Sequence, residues 1–217
     1  MEWCQVRTNP ERRHALLDAT IEVLAQQGAR GLTFRAVDKK AGVPAGTASN
    51  YFADRDDLLT QAGGWFYERS APSAATMADL AKCAKTLAYS TEPMRETVGR
   101  IEAFRTGYLA MLELRLEATR RPELRAVMTE AVCADLDFNV RNHLEAEPPG
   151  DENSVILRYL ALNWLIVDRL TLPGIFTAAQ SQELIDAAVD RSSASSETPS
   201  GTGNPCDARH RHSIMGQ

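Results

Sequence analysis

Long apolar runs are missing from this 217-residue chain. With no stretch of roughly 18 uncharged apolar residues, no bilayer-spanning helix is expected. The segment from Met1 to Thr8 lacks the apolar core of a signal peptide, so export is not expected either. Cysteine is sparse: Cys4, Cys83, Cys133 and Cys206 form no CxxC pair, which excludes a dense disulfide framework and favours reduced thiols and a cytoplasmic setting. Only four histidines are present; His210 and His212 lie near the C-terminus and His14 near the start. A nucleophile-base site would therefore have to be built on His143, whose neighbours Asn142 and Glu145 give no sign of one. HExxH, Walker and GxGxxG patterns are absent, and Cys206 with His210 and His212 reads as incidental rather than as a metal site. These absences point away from an enzyme and imply no cofactor and no metal.

Charge of one sign is also short where it would matter for a protein coating nucleic acid: the formal net charge is -5. The balance is uneven. Residues 1–50 carry +2 and the remainder -7, a slightly basic front on an acidic body.

What the chain does have is helical period, with 44% hydrophobic residues and no segment alternating like a strand. From Pro10 to Gln27, Leu17, Ile21 and Leu24 mark an amphipathic helix ended at Gly28. Thr33 is placed to cap a second helix that runs to Ala41, with Gly42 supplying a positive φ. Pro44 starts a third helix reaching Phe52, and Asp54 caps a fourth, with Asp56 and Asp57 at the favourable end of its dipole. Further breaks fall at Ala71-Pro72-Ser73, Thr91-Glu92-Pro93, Arg121-Pro122, Glu147-Pro148-Pro149-Gly150 and Pro173-Gly174. The segment from Glu152 to Leu172 is apolar on several faces and must be covered on nearly all of them, which points to a partner subunit. Beyond Ser192 the composition turns to Ser, Thr, Gly and Pro and reads as a disordered tail.

The stretch TFRAVDKKAGVPAGTASNYF, Thr33 to Phe52, is the most informative. Two short helices flank a glycine turn, and the second is rich in small, hydrogen-bonding side chains that let a backbone approach base edges. Val37 and Ala41 must then pack under Val43 and Ala48, leaving the outer face free. Together with the first helix ending in Gly28, Leu32-Thr33 with Arg35, the turn AGVPAG, the pair Tyr51-Phe52, and Arg55 with Asp57-Leu58-Leu59, this block from Arg12 to Leu59 resembles the DNA-binding domain of the TetR family of bacterial transcription regulators.

The resemblance implies an all-α fold of about nine helices: a three-helix helix-turn-helix domain (residues 1–53), a larger helical ligand-binding and dimerisation domain (54–191) and a tail (192–217). It implies a homodimeric repressor on a palindromic double-stranded DNA operator, released by a small-molecule effector. Thr33, Arg35, Lys40, Tyr51 and Arg55 would anchor phosphates, with Pro44 among the DNA-binding positions, while Ala45, Gly46, Thr47, Ser49 and Asn50 present the reading face. Pro44 stands where the family often has Ser, and Ser49 where Tyr is frequent. Arg7, Arg12 and Arg13 offer further backbone contacts. Candidate ligand-lining side chains are Trp65, Phe66, Phe104, Arg105, Tyr108, Met128, Phe138, Asn163 and Trp164, with Tyr67, Met111, Asn139 and Asp168 on the same helices. The expected dimer interface is a four-helix bundle using Leu157, Leu160, Trp164, Val167, Leu184 and Ala188. The alternative is a helical small-molecule-binding protein or enzyme without specific DNA recognition.

Overall fold

A computed structural model describes residues 9–70, 104–145 and 151–194. Eight helices and no strand are found among them: α1 (Pro10–Gly31), α2 (Phe34–Ala41), α3 (Ala48–Tyr51), α4 (Arg55–Ser70), α5 (Arg105–Ala118), α6 (Pro122–Glu145), α7 (Glu152–Thr171) and α8 (Ala178–Ala194). The all-α fold expected from hydrophobic period is thus observed. The expected breaks at 71–73, 91–93 and 147–150, the tail beyond residue 194, and Arg7, Cys206, His210 and His212 lie outside the described residues.

Two compact units are present. The first joins residues 9–70 to 104–131, and so extends past the boundary expected at residue 53, because α5 packs along α1 and α4. Asn9 starts α1 by accepting the Arg12 N–H at 3.0 Å, and Pro10 needs no donor at that position. The α1 stripe of Leu16, Leu17, Ile21 and Leu24 is buried as its period requires. Each such side chain contributes about 1.5–3 kcal/mol. At Gly28 the backbone turns to φ 66, breaking the helix before one last turn. Asp54 accepts the Asp57 N–H at 2.8 Å, and the Asp57 carboxylate accepts the Ala53 N–H at 2.8 Å, so the start of α4 is closed by two carboxylates. Further along α4, a Cβ on Gly63 would come within 2.8 Å of Leu124. Glycine there lets α4 and α6 approach closely.

The second unit comprises residues 132–145 and 151–194 among those described. Asp151 caps α7, accepting the Ser154 N–H at 2.9 Å and its hydroxyl at 2.7 Å. Those bonds hold its carboxyl below the usual carboxylate range. One face of α7 is buried through Val155, Leu162, Leu165, Ile166 and Leu170. Thr177 and Gln180 exchange bonds of 2.9 and 3.2 Å before α8, a capping box.

The reduced thiols expected from cysteine spacing need one correction: Cys133 is disulfide-bonded. A pairing between cysteines distant in sequence leaves no mark in local spacing, and the chain's other cysteines lie outside the described residues.

Candidate nucleic-acid interface

The helix-turn-helix begins at Thr33, whose hydroxyl oxygen accepts the Ala36 N–H at 3.1 Å and leaves its own proton free to donate outward. Val37 and Ala48 are fully buried, with Ala41 and Val43 packed against them. The internal requirement of the motif is met.

The third helix is shorter than expected. It covers Ala48–Tyr51, not Pro44 onward, because Gly46 adopts φ 90 and interrupts any helix across residues 44–47. Empty space surrounds the position where a Gly46 Cβ would sit, so the turn requires this glycine for its backbone rather than for room. The interruption leaves main-chain N–H groups without helical acceptors, and Asp38 supplies them. Its carboxylate, 2% exposed, accepts from Gly46 N at 2.7 Å and Ala48 N at 2.7 Å. Both are charge-assisted bonds. Asp38 also accepts the Val43 N–H on its own carbonyl at 3.0 Å, so one residue of α2 sets the whole turn. Sequence reasoning missed it.

On the outer face Ala45, Gly46, Ser49 and Asn50 are exposed and Thr47 is half-buried. The hydroxyl of Thr47 donates to Pro44 O at 2.6 Å and that of Ser49 to Gly46 O at 2.9 Å. Both therefore face outward mainly as acceptors. Asn50, by contrast, spends none of its amide on the described residues, and its donor and acceptor pair has the geometry that reads adenine. Arg35 is likewise exposed and unengaged among them.

Three expected phosphate anchors are otherwise occupied. Tyr51 is packed in the core at 8% exposure. Lys40 pairs with Glu22 at 2.6 Å. Arg55 donates to the main-chain carbonyls of Ala29 and of Leu32, the latter at 3.3 Å, tying α4 to the α1–α2 corner. Arg13, too, is structural, bonding Gln61 and lying 5.3 Å over the Phe52 ring, whereas Arg12 stays exposed.

The candidate ligand-lining aromatics do not form one group. Phe66 is buried and stacks with Phe104 at 6.0 Å and edge-on with Tyr108 at 5.7 Å. Trp65 stacks on His14 at 4.2 Å and donates to Asp18 at 2.7 Å. Met111 and Met128 are core and Arg105 is exposed. These side chains hold the first unit together, since aromatic residues suit a core as well as a cavity. In the second unit, Asn139 donates to Asp135, whose carboxyl desolvation pushes up while hydrogen bonds from Tyr159 and Asn139 pull it partly back. Asn163 donates to Tyr159 O at 2.9 Å, and Phe138 is half-buried.

Leu157, Leu160, Trp164 and Leu184 are exposed, Trp164 by 67%, and Val167 and Ala188 are half-buried. A cleft of about 190 Å³ between α7 and α8 is lined by Trp164, Leu165, Phe176, Leu184 and Ala188, with Asp168 the one charge. That is smaller than the roughly 300 Å³ at which small-molecule pockets begin.

Residues 16–62 match the family model described as bacterial regulatory proteins, tetR family, and residues 86–194 match that of the tetracyclin repressor-like C-terminal domain. The HTH-type transcriptional regulator BetI of Paraburkholderia phytofirmans is 42% identical over 48 residues, 22% of this chain and 25% of that protein. The chain thus spans about a quarter of the length of the curated relatives it matches. A solved TetR-family structure from Streptomyces coelicolor A3 is 27% identical, covering 83% of this chain and 99% of that one at a TM-score of 0.63. The multidrug binding protein EbrR complexed with ethidium is 25% identical, over 82% of this chain and 98% of that one, at a TM-score of 0.60.

Proposed function

Because this chain belongs to the TetR family of bacterial regulatory proteins, we propose that it is a DNA-binding transcriptional regulator and not an enzyme: a cytoplasmic homodimeric repressor released from a palindromic operator by a small-molecule effector. One observation carries the reading. The face of half-buried Thr47 and exposed Ser49 and Asn50 is braced from beneath by the buried Asp38, which preorganises a short element for the major groove. Thr33 and Arg35 beside it remain able to donate to phosphate.

The homodimer is supported by the apolar stripe of Leu157, Leu160 and Trp164 on α7, which continues to Leu184 on α8. An exposed stripe on both helices of a pair suits an isologous four-helix bundle. The same pairing would cover the small cleft. For the effector, Asp135, Phe138, Asn139, Tyr159 and Asn163 offer polar and aromatic contacts on α6 and α7; that EbrR is complexed with ethidium makes an organic small molecule the class to try first.

A gel shift of the full chain against the DNA upstream of its own coding sequence tests the proposal. A discrete complex is expected to survive excess random competitor, with a salt-dependent affinity. Equal binding to upstream and random DNA would sink it.

A further inference from the structure

The corner between α1 and α2 is held from three sides. Gly28, at φ 66 and ψ 179, breaks the helical ladder and turns the Ala29 N–H out of it. That N–H is bonded not by α1 but by Glu113 of α5, whose Oε2 lies 2.9 Å away. Ala29 is 6% exposed, so its donor has little access to water. On the other side of the same residue, the Ala29 carbonyl accepts from Leu32 N at 3.2 Å and from the Arg55 guanidinium.

A second tie lies one turn along α5. Glu117, four residues after Glu113 and on the same face, is 8% exposed and is bonded by Arg121. Arg121 also donates to Asp56 in the first turn of α4 at 2.8 Å. The reading module, residues 33–52, therefore enters at a corner gripped by Glu113 and leaves at a helix gripped through Arg121. Its orientation against α5 is fixed at both ends by bonds it does not itself make.

We infer that Glu113 is a positioning residue for DNA recognition: by bonding the Ala29 N–H it sets the angle at which the reading module leaves α5, and hence the spacing of the two modules in a dimer. The inference rests on the DNA-binding dimer proposed above. Loss of the bond should leave each module's own contacts intact and impair only the fit of two modules to half-sites a helical repeat apart.

Two near-isosteric variants of the full chain separate reach from charge. Glu113→Gln keeps the length and an oxygen acceptor; Glu113→Asp keeps the charge and is one methylene too short. The probes are the palindromic duplex that the wild-type protein enriches from a randomised pool, and the same duplex with one half-site scrambled. For Glu113→Asp we expect faster amide exchange at Ala29 and an affinity for the full duplex lowered about tenfold, within the usual range of coupling between sites, with half-site affinity unchanged. Glu113→Gln should match the wild type in all three. The inference is overturned if Glu113→Asp binds the full duplex as the wild type does, if it loses equally on both duplexes, or if Glu113→Gln behaves as Glu113→Asp does. A wild-type protein that enriches no DNA overturns the DNA-binding reading itself, and that result is visible before any variant is made.

Discussion

In the first unit, in and around the reading module, nearly every turn is closed by a side chain bonding the main chain: Thr33 caps α2, Asp38 holds Gly46 and Ala48, Asp54 and Asp57 close the start of α4, and Arg55 and Glu113 hold the corner at Ala29. The α7–α8 pair is built otherwise. Its packing is apolar, and large side chains on the face opposite its core stand in water, Leu157 at 66% and Trp164 at 67% exposure. A module that must present fixed donors and acceptors to DNA is better served by directional bonds, which specify geometry. A surface meant for another copy of the same chain needs area and shape, which apolar side chains supply. The two regions thus differ in what shapes them, the first being closed by polar groups and the second leaving large apolar side chains exposed.

Breaking the second region should have the largest effect. Trp164→Ala removes the broadest exposed side chain of the stripe, and at the centre of a dimer interface such a truncation costs about 4 kcal/mol. Sedimentation should then show monomer at concentrations where the wild type is dimeric. An unchanged mass would mean that the stripe serves something else. Next in size is Asp38→Ala, which strands two N–H groups beneath the reading face and should cost about 3 kcal/mol of unfolding free energy, read as a lower urea midpoint along with lost DNA affinity. If stability were untouched, Asp38 would not be the brace described. Asn50→Ala sharpens the comparison from the other side: it should cost about 1–3 kcal/mol of discrimination at one operator base pair while leaving the melting temperature within experimental scatter, because nothing folds on that amide. Equal losses on operator and random DNA would refute the base-reading role.

Legibility in the sequence follows the range of each interaction. Thr33 and Gly42 act within their own helix and were readable from residue type and position, as was the stripe of Leu17, Ile21 and Leu24. Asp38 was not, because its two acceptor bonds reach 8 and 10 residues forward into a turn whose shape depends on Gly46. The same holds for Arg55, whose carbonyl partners lie 23 and 26 residues back; the family resemblance suggested phosphate, and the fold also gives it main-chain partners. Aromatic residues misled for a different reason. Phe66 and Trp65 have the chemistry of a cavity wall, and only the fold shows Phe66 in the core against Phe104 and Trp65 half-buried against His14 at its edge. The apolar excess of α7 was legible from its composition, and Leu157, Leu160 and Trp164 are exposed as that excess leads one to expect.

The smallest expected effect tests how much the few directional bonds of the α7–α8 region contribute. Asp151 supplies one of them, a carboxylate capping α7 through Ser154, as Thr177 and Gln180 do before α8. Because those bonds favour the charged form, its folded-state value sits below the ordinary 3.8. The sign follows: the cap's charge contributes stability that is fully present above the unfolded value and is lost as pH falls through the folded one. Asp151→Ala should cost about 1 kcal/mol near neutral pH, the usual worth of an N-cap. Asp151→Asn keeps a capping oxygen without a titrating proton, so it should stay close to the wild type near neutrality and lose less on acidification, giving a shallower acid limb in melts between about pH 5 and pH 2. Parallel acid limbs for the wild type and Asp151→Asn would show that the charge at this cap contributes nothing, and that its hydrogen bonds alone hold the start of α7.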